Sequence, residues 1–166
     1  MTAVTAPALR VIEAGDECRL ERLFYRLSPE SVYRRFFTLY TSPPPGALHA
    51  LADLDHDSRD AVVATVGDEI VGVARYATVA PGVAEVAVVV EDAWQGHGLG
   101  RRLLECVAAL ARVRGVTAFC ATLLAENRPA VAMLRAVFPH GVFTSNGTEY
   151  EWRAALPAAP SERKTA

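Results

Sequence analysis

The spacing of hydrophobic positions changes along this chain, and each change predicts an element. Leu9–Glu13 alternates and predicts a short strand. Asp16 is placed as the N-cap of a helix whose stripe is Cys18, Leu20, Leu23, Phe24 and Leu27. Ser28-Pro29-Glu30-Ser31 resets the chain, with serine at the cap and proline in the first turn. The second helix is expected to bury Val32, Tyr33, Phe36 and Phe37 and to show Arg34 and Arg35 to solvent. Ser42-Pro43-Pro44-Pro45-Gly46 breaks it, and a short helix around Ala47–Leu54 follows.

The period then becomes two. Ala61–Val66 and Ile70–Val79, joined by Gly67-Asp68-Glu69, predict an antiparallel hairpin, and Ala84–Glu91 adds a third strand after Pro81-Gly82. A helical stripe returns with Leu99, Leu103, Val107, Leu110 and Ala111 inward, and Gly115 ends it. Val116–Leu124 reads as a strand that buries Cys120. Asn127 caps a helix carrying Ala130, Val131, Leu134 and Phe138, and Val142–Ser145, Asn146-Gly147 and Thr148–Arg153 form a last hairpin. The core order β-α-α-β-β-β-α-β-α-β-β is that of a mixed α/β (α+β) sandwich, which excludes a helical bundle and an all-β barrel.

Composition narrows the classes. The 166 residues make one domain, expected over residues 9–153, with loose ends at 1–8 and 156–166. A net charge of −2 and a pI near 6.1 give no electrostatic case for nucleic acid or an anionic membrane as partner. No apolar run approaches the length of a membrane span, and no charged start precedes an apolar stretch, which argues against secretion. Cys18, Cys106 and Cys120 lack paired spacing, so a reducing cytoplasm is expected, without a disulfide framework. Asp55-His56-Asp57 is metal-like in composition only, because adjacent residues in an extended loop rarely converge on one ion. No metal is expected.

Chemistry concentrates in Glu91–Arg102, EDAWQGHGLGRR. A strand runs into a loop holding Gly96, Gly98 and Gly100, and a helix begins inside that loop. Glycines let the backbone approach a ligand and aim successive N–H groups at one point, while the helix start adds partial positive charge. Arg101 and Arg102 sit in the first turn, where cations oppose the helix dipole unless an anion lies nearby. The segment lacks GxxxxGK[ST], and both GxGxxG registers fail, at Arg101 and at Leu103. What it does contain is Q-x-x-G-x-G, met by Gln95, Gly98 and Gly100.

With this motif, between this strand and this helix, the sequence resembles the GNAT superfamily of acyl-CoA-dependent N-acyltransferases over about residues 9–153. The resemblance implies a largely antiparallel sheet flanked by helices, with acetyl-CoA as acyl donor. It places the diphosphate on the segment Gln95, Gly96, His97, Gly98, Leu99, Gly100 and Arg101. The pantetheine arm would pair with main chain near Val88 and Val90, at a strand edge splayed open. His97 and Trp94 are equally consistent with exposure and packing, respectively. Asn127 is expected to touch the arm as well as cap its helix.

Glu85 is the only ionisable residue between Tyr76 and Glu91, roughly 15–20 Å from the loop at about 3.3 Å per residue. A lysine amine of pKa about 10.4 is only about one part in 2,500 neutral at pH 7, a deficit of roughly 4.6 kcal/mol. A carboxylate able to take that proton answers the deficit. The family commonly has a glutamate base at this strand position, and Glu85 matches it. Many members carry a tyrosine as general acid where this chain has Leu134, and Tyr150 is more simply a packing residue. Cys120 reads as core rather than nucleophile.

The string Leu27–Phe37, with AEVAVVVEDAWQGHGLG, looks like the acetyltransferase domain of bacterial protein lysine acetyltransferases. That resemblance implies a primary amine acceptor, a protein lysine foremost. A small-molecule amine and a non-catalytic acyl-CoA sensor or interaction module stay open as alternatives. The cyclic-nucleotide-binding or synthetase-like domains often fused in those proteins are not expected within 166 residues. Acceptor choice is expected in residues 24–57, and exposed strand edges leave room for a homodimer.

Overall fold

A computed structural model describes residues 5–158, so residues 1–4 and 159–166 of the expected loose ends lie outside the described residues. The elements are β1 (Ala8–Val11), α1 (Glu17–Arg26), α2 (Pro29–Phe36), α3 (Ala47–Ala52), β2 (Arg59–Val66), β3 (Glu69–Ala80) and β4 (Val83–Val90). They continue as α4 (Leu99–Val113), β5 (Ala118–Leu124), α5 (Arg128–Val137), β6 (Val142–Asn146) and β7 (Glu149–Ala155). The element order is the expected one, with the short third helix present. The strands form one seven-stranded sheet, β1-β2-β3-β4-β5-β7-β6, antiparallel except between β4 and β5.

Helices cover both faces. On one, Leu99, Leu103, Leu104, Val107 and Ala111 of α4 and Leu134 of α5 pack with Tyr76, Phe119 and Trp152. On the other, Leu20 and Leu23 of α1 and Ala52 of α3 pack with Ile12, Val63 and Val73. Alternation along β2, β3 and β4 supplies both cores, so these strands carry apolar residues on each face.

Several local expectations are corrected. Asp16 stands at the N-cap position of α1 but makes no side-chain cap. Its buried carboxylate instead accepts from both terminal nitrogens of Arg10 at 2.7 Å and from the Glu13 N–H at 2.9 Å. Cys18 is exposed and Cys120 only half-buried. Tyr33 and Phe37 are each 37% exposed, and Val32 is the residue of α2 that enters the core. The last hairpin turns at Gly147-Thr148, because Asn146 still pairs with Glu149. At the ends, Ala8 is already in β1, and Leu156 is buried with its N–H on the Thr117 carbonyl at 2.8 Å, so neither is loose.

β4 and β5 position the site. They pair only through Val83–Ala118, Ala84–Phe119 and Glu85–Cys120, and beyond that point they part. The closed end of this fork is fastened by the Thr117 and Ala118 N–H groups on the Gly82 carbonyl, at 2.8 and 3.1 Å.

Candidate active site

The fork opens into a cleft of about 770 Å³, a volume suited to a small ligand. Val86–Val90 of β4 form one wall and Ala121–Leu123 of β5 the other. Gln95, Gly96 and Gly98–Arg101 close one end, and Arg34, Arg35 and Glu85 stand at the other. Asn127, Ala130, Met133 and Leu134 contribute from the start and inner side of α5.

The strand wall offers main-chain groups. The Glu91 N–H bonds the Val71 carbonyl on β3 at 2.9 Å. Because neighbouring residues of an antiparallel strand point their main-chain groups to opposite sides, Val88 and Val90 turn theirs away from β3, toward the fork. The Val90 carbonyl is taken by the Gln95 side-chain amide at 2.9 Å. Val88, past the last β4–β5 pair, keeps both its N–H and carbonyl for a ligand.

At the loop, the Trp94 and Gln95 N–H groups are spent on the Glu91 and Asp92 carbonyls, at 2.8 and 3.2 Å. The N–H groups of Gly96, His97, Gly98, Leu99, Gly100 and Arg101 find no protein acceptor among the described residues, and the first helical bond is Arg102 to the Gly98 carbonyl. Orphan amides at the start of a fifteen-residue helix make an anion site. Gln95, expected to contribute its amide, belongs to the frame instead: its side chain also donates to Ser31 Oγ at 3.1 Å. Gly98 has φ +79° and Gly96 φ +77°, which favour glycine, while Gly100 is closely packed, a Cβ there meeting the flexible end of Met133 at Sδ, 3.0 Å away.

His97 is exposed and Trp94 packs on the core, and neither lines the cleft. Arg101 pairs with Glu105 at 3.0 Å, and Arg102 donates to the Pro7 carbonyl at 3.3 Å. Asn127 caps α5, its Oδ1 accepting from the Ala130 N–H at 3.3 Å. Tyr150 packs edge-on against Phe143 and does not line the cleft. Asp55 is engaged by Ser58, Asp57 N–H and Arg59 N–H, while His56 faces Asp60 at 2.8 Å. No group of three metal-ligating side chains occurs among the described residues.

Sequence reasoning missed the contribution of α2. Arg34 and Arg35, expected on a solvated face, line the cleft beside Phe37. Burial, Arg75 nearby and an opposing pull from Glu85 leave the Arg35 pKa at about 10. The Asp92 carboxylate accepts from Ser28 N–H at 2.9 Å, Ser28 Oγ at 2.7 Å and Ser31 Oγ at 3.1 Å, joining the loop to the start of α2. Burial pushes the Asp92 carboxyl up, but these bonds outweigh it and leave it below the ordinary range. A polar residue sixty-odd positions from its partner leaves no periodic signal in a sequence.

The chain matches the acetyltransferase (GNAT) family over residues 22–138. It belongs to the GNAT acetyltransferase family. An acetyltransferase of Pseudomonas aeruginosa is 31% identical over 125 residues, which cover 72% of this chain and 67% of the relative. The GNAT domain of PAT from S. lividans superposes with a TM-score of 0.84 at 29% identity, covering 90% of each chain. The yncA protein of Salmonella typhimurium, solved with acetyl-CoA, shares the fold at a TM-score of 0.75 and 16% identity, over 95% of this chain and 98% of that one. This GNAT protein is thus an acetyl-CoA-dependent acetyltransferase. Its unbonded amides and unpaired Val88 edge suit the diphosphate and amide-bearing arm of that donor. No helix among the described residues is long and apolar enough to cross a membrane.

Proposed function

We propose that this enzyme transfers the acetyl group of acetyl-CoA to a primary amine, a protein lysine foremost, by direct attack with Glu85 as general base. The observation that carries this reading is the position of Glu85 at the point where β4 and β5 part, at the end of the cleft opposite the free amides. A donor held by its diphosphate on Gly96–Arg101, with its arm along Val88, brings its thioester toward that carboxylate. Glu149 also lines the cleft, but it pairs with Leu124, four residues along β5 from Cys120 and toward the amide end. That separation favours Glu85 over Glu149 as the base.

The amine nitrogen forms a bond to the thioester carbon, and the carbon–sulfur bond breaks. Glu85 takes the amine proton, directly or through a water. The Val88 N–H is available to polarise the carbonyl oxygen. The thiolate leaves and takes its proton from solvent. Leu134, buried in the position where many relatives carry tyrosine, has no proton to give, and a thiol of pKa about 8.5 needs little help at neutral pH.

The likeness of Leu27–Phe37 to protein lysine acetyltransferases and the 29% identity to the PAT domain support a protein acceptor. A thiol-release assay with acetyl-CoA, offered proteins, polyamines and amino acids in turn, tests it. Turnover with lysine-bearing proteins is expected. Turnover with small amines alone would move the acceptor class, and none with any amine would overturn the reading.

A further inference from the structure

The acceptor end of the cleft carries more positive charge than its neighbours balance. Arg34 is paired with Glu30 at 2.7 Å. Arg35, half-buried one residue on, has no carboxylate within ion-pair distance among the described residues and lies over the Phe36 ring at 4.9 Å. Arg75 of β3 is half-buried too. It pairs across from Ala87, while Glu85 pairs across from Ala77, so Arg75 and Glu85 are diagonal neighbours on one sheet face. Such neighbours lie about 7–8 Å apart, within reach of long side chains. Burial lowers the pKa of both arginines, each repels a further arginine, and Glu85 is the carboxylate that steadies them.

An amine arrives from water mostly as a cation. When Glu85 accepts its proton the one nearby carboxylate becomes neutral, and Arg35, which lines the cleft, is left without it, as is Arg75 behind Glu85 on β3. We infer that Arg35 and Arg75 form an anion-binding subsite, so that the favoured acceptor carries a carboxylate or phosphate close to its reactive amine. Guanidinium groups suit this role because they are planar, always charged and able to grip an oxyanion with paired N–H groups. The free amides at the far end are separated from Arg35 and Glu85 by the β4 wall, so the donor's diphosphate does not supply the missing anion. The inference rests on amine transfer as proposed above.

Two measurements together decide it. In the first, capped lysine peptides carry one aspartate moved outward step by step from the lysine, each matched by its asparagine isostere, and kcat/KM is read by thiol release. At one spacing the aspartate peptide is expected to win by about tenfold or more, and R35Q/R75Q should shrink that ratio toward one. No preference at any spacing, or a preference that survives R35Q/R75Q, overturns the subsite. A pH–rate profile displaced by the double substitution, without any aspartate preference, also overturns it and leaves only a field effect on the amine. The second measurement titrates inorganic phosphate into protein saturated with CoA, which occupies the loop. Binding weakened about fivefold or more in R35Q/R75Q supports the subsite even if no amine turns over, a result that would sink the transfer reading alone. Absent phosphate binding alongside brisk, charge-blind turnover sinks the subsite alone.

Discussion

The Gln95 side-chain amide donates to Ser31 Oγ at 3.1 Å while also holding the Val90 carbonyl at 2.9 Å. One side chain thus joins the end of β4, the glycine loop and the start of α2, the helix that brings Arg35 to the cleft. Gln95 is a positioning residue: it shapes both halves of the cleft while its side-chain NH2 is spent on protein acceptors. Replacing it with leucine leaves the Val90 carbonyl without its partner and is expected to cost about 1–2 kcal/mol of stability. Urea unfolding checks that figure. Calorimetry should show weaker acetyl-CoA binding, and the acceptor KM should rise as well, which a purely local loss of stability would not produce.

Gly98 and Gly100 stand in one motif for different reasons, and substitution separates them. Gly98 sits at φ +79° with open space around an added Cβ, so Gly98→Val acts through backbone strain and should cost about 1–2 kcal/mol. Gly98→Asn, whose side chain tolerates that conformation, should cost less. Gly100→Ala instead presses on the flexible end of Met133 and should be milder than Gly98→Val. Unfolding midpoints for the three variants give the order directly.

The Arg10 guanidinium holds the Asp16 carboxyl below its ordinary pKa, against the opposing effect of burial and with help from the Glu13 N–H. A group depressed in the folded state contributes its stability above its unfolded pKa of about 3.9 and loses it as pH falls through the lower folded value. Asp16→Asn should therefore cost about 1–3 kcal/mol at pH 7 and progressively less below pH ~4. Urea midpoints across that range, wild type against variant, should converge on acidification.

The parts legible in the sequence are those with an unbroken local period. Leu99, Leu103, Val107 and Ala111 mark the buried face of α4, and alternation marks β2, β3 and β4, because burial there follows spacing alone. The glycine loop was legible through its motif, and the opening beside Val88 through the family resemblance. What escaped depends on where a helix comes to rest. Val32, Tyr33, Phe36 and Phe37 follow a helical period, but α2 ends over a cleft, so Tyr33 and Phe37 stay partly exposed and Arg34 and Arg35 line the site. The Asp92–Ser28 bond and the Asp16–Arg10 pair join residues whose partnership no periodicity encodes.

In the proposed mechanism Glu85 takes the amine proton. Glu85→Gln keeps the size and main-chain pairing of the residue and removes its basicity. Acetyl-CoA is expected to stabilise the variant against heat as it does the wild type, while kcat for the best amine acceptor falls about 100- to 10,000-fold. An unchanged kcat with intact donor binding would contradict it and assign the base to another group.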